Sequence, residues 1–248
     1  MAGRIGLNQD KLHTDLERYK ISIQVVSAEI SKTSRNFFDG LKDKWASPDA
    51  YLKSHEWICK LGDIRANLLN DCAVSMDIVE DAAGYIAKSL GDSYERIGAD
   101  IGMDYGGVTL YLNESRCLEA FSDGTVAMDV NAVKLLLDLF NKGIDKVYAR
   151  MESVPNGINI YDTNGDIQNG HSCKIKEIKQ ELIDEVTAIN TELQSYMDQY
   201  ITGIENAKAQ AASIIDGNVS VSYSGNTFNK SAPGPSVDVE FSNSDSIH

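Results

Sequence analysis

The chain has 248 residues, of which 42% are hydrophobic, and this is enough apolar side chain to build a buried core. Its 37 acidic and 23 basic residues give a formal net charge of −14, which opposes binding to nucleic acid or to anionic lipid. The N-terminal segment lacks the apolar stretch of a signal peptide, and no segment is apolar enough to span a bilayer. We therefore expect a cytoplasmic protein, or one secreted without a cleaved signal peptide, with no nucleic acid partner and no membrane insertion.

The first predicted helix begins near Leu12 and carries one apolar seam. Apolar residues recur at alternating spacings of four and three, the heptad pattern of a helix packed lengthwise on another: Leu12, Leu16, Tyr19, Ile23, Val26, Ile30 and, after a polar break, Phe37. Asp39-Gly40 weakens the pattern. The seam predicts a coiled-coil-like contact with the next helix.

A second helix is predicted from Pro48 to about Leu90. Ser47 is a suitable N-terminal cap, Pro48 fits the first helical position, and Asp49 complements the positive end of the helix. The apolar positions that should receive the first seam are Ile58, Leu61, Leu68, Val79 and Ile86. Trp45 stands in the turn between the two helices.

The segment that follows changes character. Glycines and short β-type runs predict a connector, in which residues 117–121 and 125–128 could form a small hairpin. Heptads then return and predict a third helix over about residues 129–153. After Pro155 and a loop rich in Gly and Asn, apolar residues from Ile175 to Ile214 predict a fourth helix. The last part is rich in Ser, Asn and Gly, with weak alternation at residues 219–223 and 237–241.

The predicted fold is all-α: an elongated four-helix bundle made from two long helical hairpins, with a small β connector and a flexible tail. The predicted divisions are an N-terminal hairpin with the Trp turn, the connector, a C-terminal hairpin, and a flexible or weakly β tail, at residues 1–97, 98–128, 129–216 and 217–248. Two long hairpins can bury each other's apolar seams.

Catalytic motifs are not found in the sequence. HExxH, GxSxG and phosphate-binding glycine loops are missing, and the carboxylates lie on the polar faces of predicted helices. Asp162-Thr-Asn-Gly-Asp166 begins like a calcium loop but has Ile167 where glycine belongs and Cys173 where the final glutamate belongs, so a plain turn fits better. We predict a protein that is not an enzyme and has no cofactor.

Two histidines and two cysteines raise one hypothesis of a zinc site. His55 and Cys59 are one helical turn apart, and His171 and Cys173 precede the fourth helix, so four zinc-compatible ligands exist. They would meet if the four helices ran up, down, up and down, because the starts of helices two and four would then share an end. The spacing matches no standard zinc motif, so reduced thiols and surface histidines are the preferred interpretation, and no metal site is predicted.

The Trp turn carries a resemblance to a known family. Trp45-Ala-Ser47 is followed by Pro48-Asp49, the flanking residues include Phe37, Phe38 and Leu41, and the second helix ends with Asp81-Ala-Ala-Gly-Tyr85. These features of residues 10–97 resemble the WXG, or ESAT-like, helical hairpins of type VII secretion in Gram-positive bacteria. Ser47 replaces the glycine of that family's signature. Its export motif has Tyr, three residues and then an acidic residue, but here Ser89 and Gly98 stand at that position after Tyr85 and Tyr94.

The resemblance implies a function in protein binding. Members pair two hairpins antiparallel into a four-helix bundle, so this chain is expected to bind another helical protein or itself, as a substrate, a targeting partner or a chaperone-like companion of an effector. The expected recognition point is the turn cluster, which we define as Phe37, Phe38, Trp45, Ser47 and Trp57, because aromatic residues dominate interface energies. The alternative is a structural coiled-coil scaffold or phage-like assembly protein that associates with itself.

Overall fold

Four long α-helices dominate the residues that this computed structural model describes, which are 6–98, 127–215, 221–224 and 227–230. The helices are α1 (Gln9–Lys42), α2 (Pro48–Ser89), α3 (Val130–Ser153) and α4 (Ile175–Ile215). The predicted helical class is confirmed, and the predicted helix ends agree to within about three residues, which is the usual uncertainty of such boundaries. None of the described helices has a stretch both long and apolar enough to cross a membrane.

Three small antiparallel sheets accompany the helices in the described residues. Their strands are β1 (Trp45–Ala46) with β2 (Ala127–Met128), β3 (Gly157–Tyr161) with β4 (Ile167–Ser172), and β5 (Val221–Ser224) with β6 (Thr227–Lys230). The prediction of an irregular loop after Pro155 was wrong, because alternate residues Ile158 and Ile160 are buried and this segment forms β3. The weak alternation in the tail does contain a strand, β5, but its partner is β6.

Two predicted strand pairings fall largely outside the described residues. The predicted hairpin partner at residues 117–121 and the tail segment 237–241 lie there. The described end of the β-hairpin predicted in the connector, Ala127–Met128, pairs with Trp45–Ala46. The connector therefore ends on the Trp turn.

Side-chain caps begin three of the helices. Asn8 Oδ1 accepts a hydrogen bond from the Lys11 backbone N–H, Ser47 Oγ from that of Ala50, and Asp129 Oδ1 from that of Ala132, at 3.1, 3.0 and 3.0 Å. Each bond satisfies a backbone donor that has no partner inside its helix. The predicted cap at Ser47 is confirmed.

Helix α1 packs against both α2 and α3. It runs antiparallel to α3, because Phe37 stacks on Phe140 with ring centroids 4.5 Å apart, while Thr33, one turn before Phe37, faces Gly143, one turn after Phe140. It also runs antiparallel to α2. Arg65 Nε of α2 donates to Ser27 Oγ in the middle of α1, whereas Gln9 Nε2 at the start of α1 donates to Ser93 O, just beyond the end of α2, both at 2.8 Å.

Helix α4, up to Glu192, runs antiparallel to both α2 and α3. The Lys174 backbone N–H donates to Asp71 Oδ2 at 2.9 Å, and further along α4 the partners on α2 come from progressively earlier positions, ending with Trp57 and Glu192. On the other side, Lys179 pairs with Glu152, and Asn190 with Asn141. Helices α1 and α4 therefore share one direction, and α2 and α3 share the other.

The chain divides into two compact units, Met1–Glu192 and Leu193–His248. All the interhelical contacts described above belong to the first unit. The second unit contains the end of α4 and the β5–β6 pair.

Candidate functional site

The turn between α1 and α2 is fixed to the start of α3. Trp45 pairs with Met128 and Ala46 with Ala127, and the Asp129 backbone N–H donates to Lys44 O at 2.8 Å. A two-residue strand is too short to be stable by itself, so the helices on either side must hold it. The Trp turn is thus a junction of three helices.

All residues of the turn cluster are buried. None of them is more than 7% exposed: Phe37, Phe38, Trp45, Ser47 and Trp57. They form two aromatic contacts, with the indole rings of Trp45 and Trp57 at 6.4 Å and the rings of Phe37 and Phe38 at 5.0 Å. In this structure these side chains pack within the protein, and their role in partner recognition stays a prediction.

Trp57 joins α2 to α4 through a polar contact. Its Nε1–H donates to Glu192 Oε2 at 3.1 Å, although the residue is fully buried. Lys53 Nζ lies 3.2 Å from the same carboxylate oxygen and 2.9 Å from Glu56 Oε2. These hydrogen bonds, to Glu56 first and to Glu192 second, raise the pKa of Lys53. The contact satisfies the indole donor that burial would otherwise leave without a partner.

A second carboxylate of α4, that of Glu185, has fewer polar partners to offset its burial. Glu185 Oε2 lies 3.6 Å from Lys60 Nζ, but its Oε1 is buried and makes no hydrogen bond among the described residues. Burial raises the pKa of Glu185, and Lys60 offsets only part of that effect. Burial disfavours the charged form of a carboxyl group.

Glu185→Gln should therefore stabilise the protein at neutral pH. When the pKa of a carboxyl is higher in the folded state, the free energy of unfolding of the protein falls as the pH rises from about 4 through that raised pKa. Glutamine cannot ionise, so the variant should have the higher Tm at pH 7.5, and the difference should vanish near pH 4. Circular dichroism melts across this range measure it. Exposed Glu181→Gln is the control, and a variant less stable than the wild type at pH 7.5 would contradict the prediction.

The predicted seam of α1 is used inside the chain. Its six residues are each at most 1% exposed: Leu12, Leu16, Tyr19, Ile23, Val26 and Ile30. The expected partner positions on α2 are buried as well, except Ile86, which is half-buried. A partner protein would therefore meet other surfaces of α1.

The four residues of the zinc hypothesis do not come together. Cys59 Sγ lies 3.8 Å from His55 Nδ1, but Lys174, next to Cys173, contacts Asp71, about 18 Å further along α2. The hypothesis required the starts of α2 and α4 to share an end, and they do not. Among the described residues no group of three or more His, Cys, Asp or Glu side chains could hold a metal ion.

The loop at residues 162–166 is a turn in which the Asp162 carboxylate accepts hydrogen bonds from the backbone of the turn itself. Asp162 Oδ1 accepts hydrogen bonds from the backbone N–H groups of Asn164 and Asp166, both at 2.9 Å. Gly165 has a φ of +84°, a conformation that favours glycine. This is the behaviour of a hairpin turn between β3 and β4.

A buried glutamate that sequence reasoning missed anchors the segment after α2. Glu80 is 1% exposed, and its Oε1 accepts hydrogen bonds from the backbone N–H groups of Ile97 and Gly98 at 2.7 and 3.3 Å. Arg96 Nε lies 3.5 Å from its other oxygen. The sequence does contain one sign that Glu80 is buried. It lies four residues after Met76 and three before Ala83, within the apolar stripe of α2.

Comparison with protein-family models, with curated proteins and with solved structures gives no match for this chain. What the structure defines is a predominantly helical protein in which a buried Trp turn is joined to the start of a third helix.

Proposed function

We propose that this chain is a non-enzymatic helical protein-binding module of a type VII secretion system, acting as a substrate, a targeting partner or a chaperone-like companion of an effector. The observation that carries the proposal is the pairing of β1 with β2, which brings the start of α3 to the Trp turn. Because α3 starts there, it runs parallel to α2 and antiparallel to α1.

This order of helices supports a bundle of two antiparallel hairpins. The turn of the first hairpin, at Trp45, lies at one end of α1, and the β3–β4 turn of the second lies at the other, where the Asn8 N–H donates to Tyr161 O at 3.0 Å. Hairpins with their turns at opposite ends are the arrangement that the WXG resemblance implies for two paired members. One chain would then supply both halves of the bundle.

Three carboxylates of the described residues have structural roles, which supports the proposal of a binding module. The carboxylates of Glu192 and Glu80 each accept hydrogen bonds that hold one element on another. Asp162 serves its own turn. Each of these groups has a packing role that needs no substrate.

The test is isolation of the tagged chain from its own cells, followed by multi-angle light scattering. We expect a complex of fixed stoichiometry with a helical protein that is encoded together with type VII secretion components. A cell lacking the secretion ATPase is the control for export. A chain that remains alone after crosslinking, or a complex with proteins unrelated to secretion, would overturn the proposal.

A structural scaffold is the second candidate, and the end of α4 favours it. Ile204, Ile214 and Ile215 are 40, 43 and 84% exposed. Exposed apolar side chains at helical spacing favour association with another helix. Growth of the purified chain into higher oligomers with concentration, without any partner, would favour the scaffold.

A further inference from the structure

A groove of about 390 Å³ runs between α1 and α3. Its floor contains the stacked rings of Phe37 and Phe140, each 2% exposed. On the α3 side it is lined by Leu136 and by Leu139, which is 55% exposed. Contiguous exposed apolar surface rimmed by polar residues marks sites of protein interaction.

The groove is shallow because its two helices approach closely. A Cβ atom on Gly143 would stand 2.5 Å from Thr33 Cγ2, and one on Gly40 would stand 2.6 Å from Leu136 Cδ2. These glycines let the helix backbones come together, so the aromatic rings lie just beneath the surface. The result is a groove about three helical turns long, or about 16 Å.

The charges along the groove oppose the charge of the whole protein. The chain carries 37 acidic and 23 basic residues, yet three lysines line the groove, Lys32, Lys142 and Lys146, against one glutamate. That glutamate, Glu29, faces Arg150 at 3.5 Å. None of the three lysines forms an ion pair with any residue in the described ranges, and all three are exposed.

We infer that this groove binds an amphipathic α-helix with acidic flanks, supplied by a separate polypeptide. The inference rests on the proposed function and specifies the surface and the chemistry of the partner. Apolar residues of the incoming helix would cover Leu139 and the aromatic floor, and its carboxylates would pair with the lysines. The groove therefore carries basic side chains without ion-pair partners among the described residues, on a chain whose net charge is −14.

The geometry favours a helix from a different protein. The groove lies between two helices, so a third helix can pack along both, whereas the strands β1 and β2 are already paired with each other. A symmetric pair of identical chains meeting through this groove would set the lysines of one copy against those of the other. Such a dimer would be opposed by charge.

The experiment uses the full chain and a fluorescent three-heptad peptide with Leu at positions a and d and Glu at e and g. Repulsion between its glutamates keeps the peptide from pairing with itself. A peptide with Lys at e and g presents the same apolar face with the opposite charge. Fluorescence anisotropy should show binding of the acidic peptide at least about tenfold tighter than that of the basic one.

Charge reversal locates the contact. Lys142→Glu combined with Lys146→Glu should weaken binding of the acidic peptide at least about tenfold, whereas Lys134→Glu, an exposed lysine of α3 away from the groove, should change it less than about twofold. If the reversal lowers the helical content, Lys142→Gln with Lys146→Gln replaces it, and a loss of about threefold or more is expected.

Several results would overturn the inference: equal binding of the two peptides, no effect of the double reversal, or a homodimer that the reversal dissociates. The proposed function is tested separately with the protein captured from cells. If that protein binds the wild type and the double variant equally well, the groove assignment fails and the proposed function stands. If no such protein is captured, the proposed function fails, and the peptide result still decides whether the groove binds acidic helices.

Discussion

Trp57→Ala should lower the free energy of unfolding by about 3–5 kcal/mol, the range for truncating a large buried aromatic residue. Trp57 is fully buried, lies against the ring of Trp45, and donates to Glu192. The substitution removes the packing beneath the Trp turn and leaves a cavity between α2 and α4. Urea denaturation followed by far-ultraviolet circular dichroism measures the change.

Two further variants separate packing from hydrogen bonding at this position. Trp57→Phe retains most of the apolar contact but loses the indole donor, so it should cost less than Trp57→Ala. Glu192→Gln keeps an acceptor for the indole and removes the charge that faces Lys53, so its effect should be about 1 kcal/mol or less, as for other partly exposed ion pairs. A loss below about 1 kcal/mol for Trp57→Ala would show that Trp57 is not part of the core.

The helices could be predicted because their signals are local. Apolar residues at helical spacing, from Leu12 to Phe37 in α1 and from Ile58 to Ile86 in α2, leave little ambiguity of type, and Ser47-Pro48 fixes a boundary through cap geometry. Burial of the six α1 seam residues follows from the same spacing. These properties depend on residues within one or two turns of each other.

The strand pairings could not be predicted, because their signals are short or distant. β1 and β2 have two residues each and lie about eighty positions apart, so neither shows a strand pattern by itself. In β3 the alternation of Ile158 and Ile160 was hidden among turn-forming Asn, Asp and Gly residues. The direction of α3 depends on the β1–β2 pairing, so the sequence alone does not determine whether α3 runs parallel to α1 or to α2.

The candidate sites show the same division. The residues of the Trp turn were identified by type, but their burial depends on packing against α3 and α4, which no local pattern encodes. The groove between α1 and α3 could not be predicted from the sequence, since Lys32 is more than a hundred residues from Lys142 and Lys146. Its charge becomes a feature only when α1 and α3 lie side by side.

Replacement of glycine by alanine should change the stability of the protein in opposite directions at two helical positions, of which only Gly143 lies at the contact between α1 and α3. Gly143→Ala should destabilise the protein by about 1–3 kcal/mol, because the new methyl group would collide with buried Thr33. Gly62→Ala should stabilise it by about 0.5–1 kcal/mol, because a Cβ there meets nothing within 4 Å and alanine is the better helix former. Urea denaturation of the two variants gives both changes.

Removing the obstructing side chain tests the cause. In a Thr33→Ala background the methyl group added by Gly143→Ala has room, so its cost there should largely disappear, and the two substitutions should show a coupling energy of about 1 kcal/mol or more. Gly62→Ala should have the same effect in either background, because it lies on α2 away from Thr33. If Gly143→Ala proved as stabilising as Gly62→Ala, the close crossing of α1 and α3 would be wrong, and the shallow groove that depends on it would be wrong too.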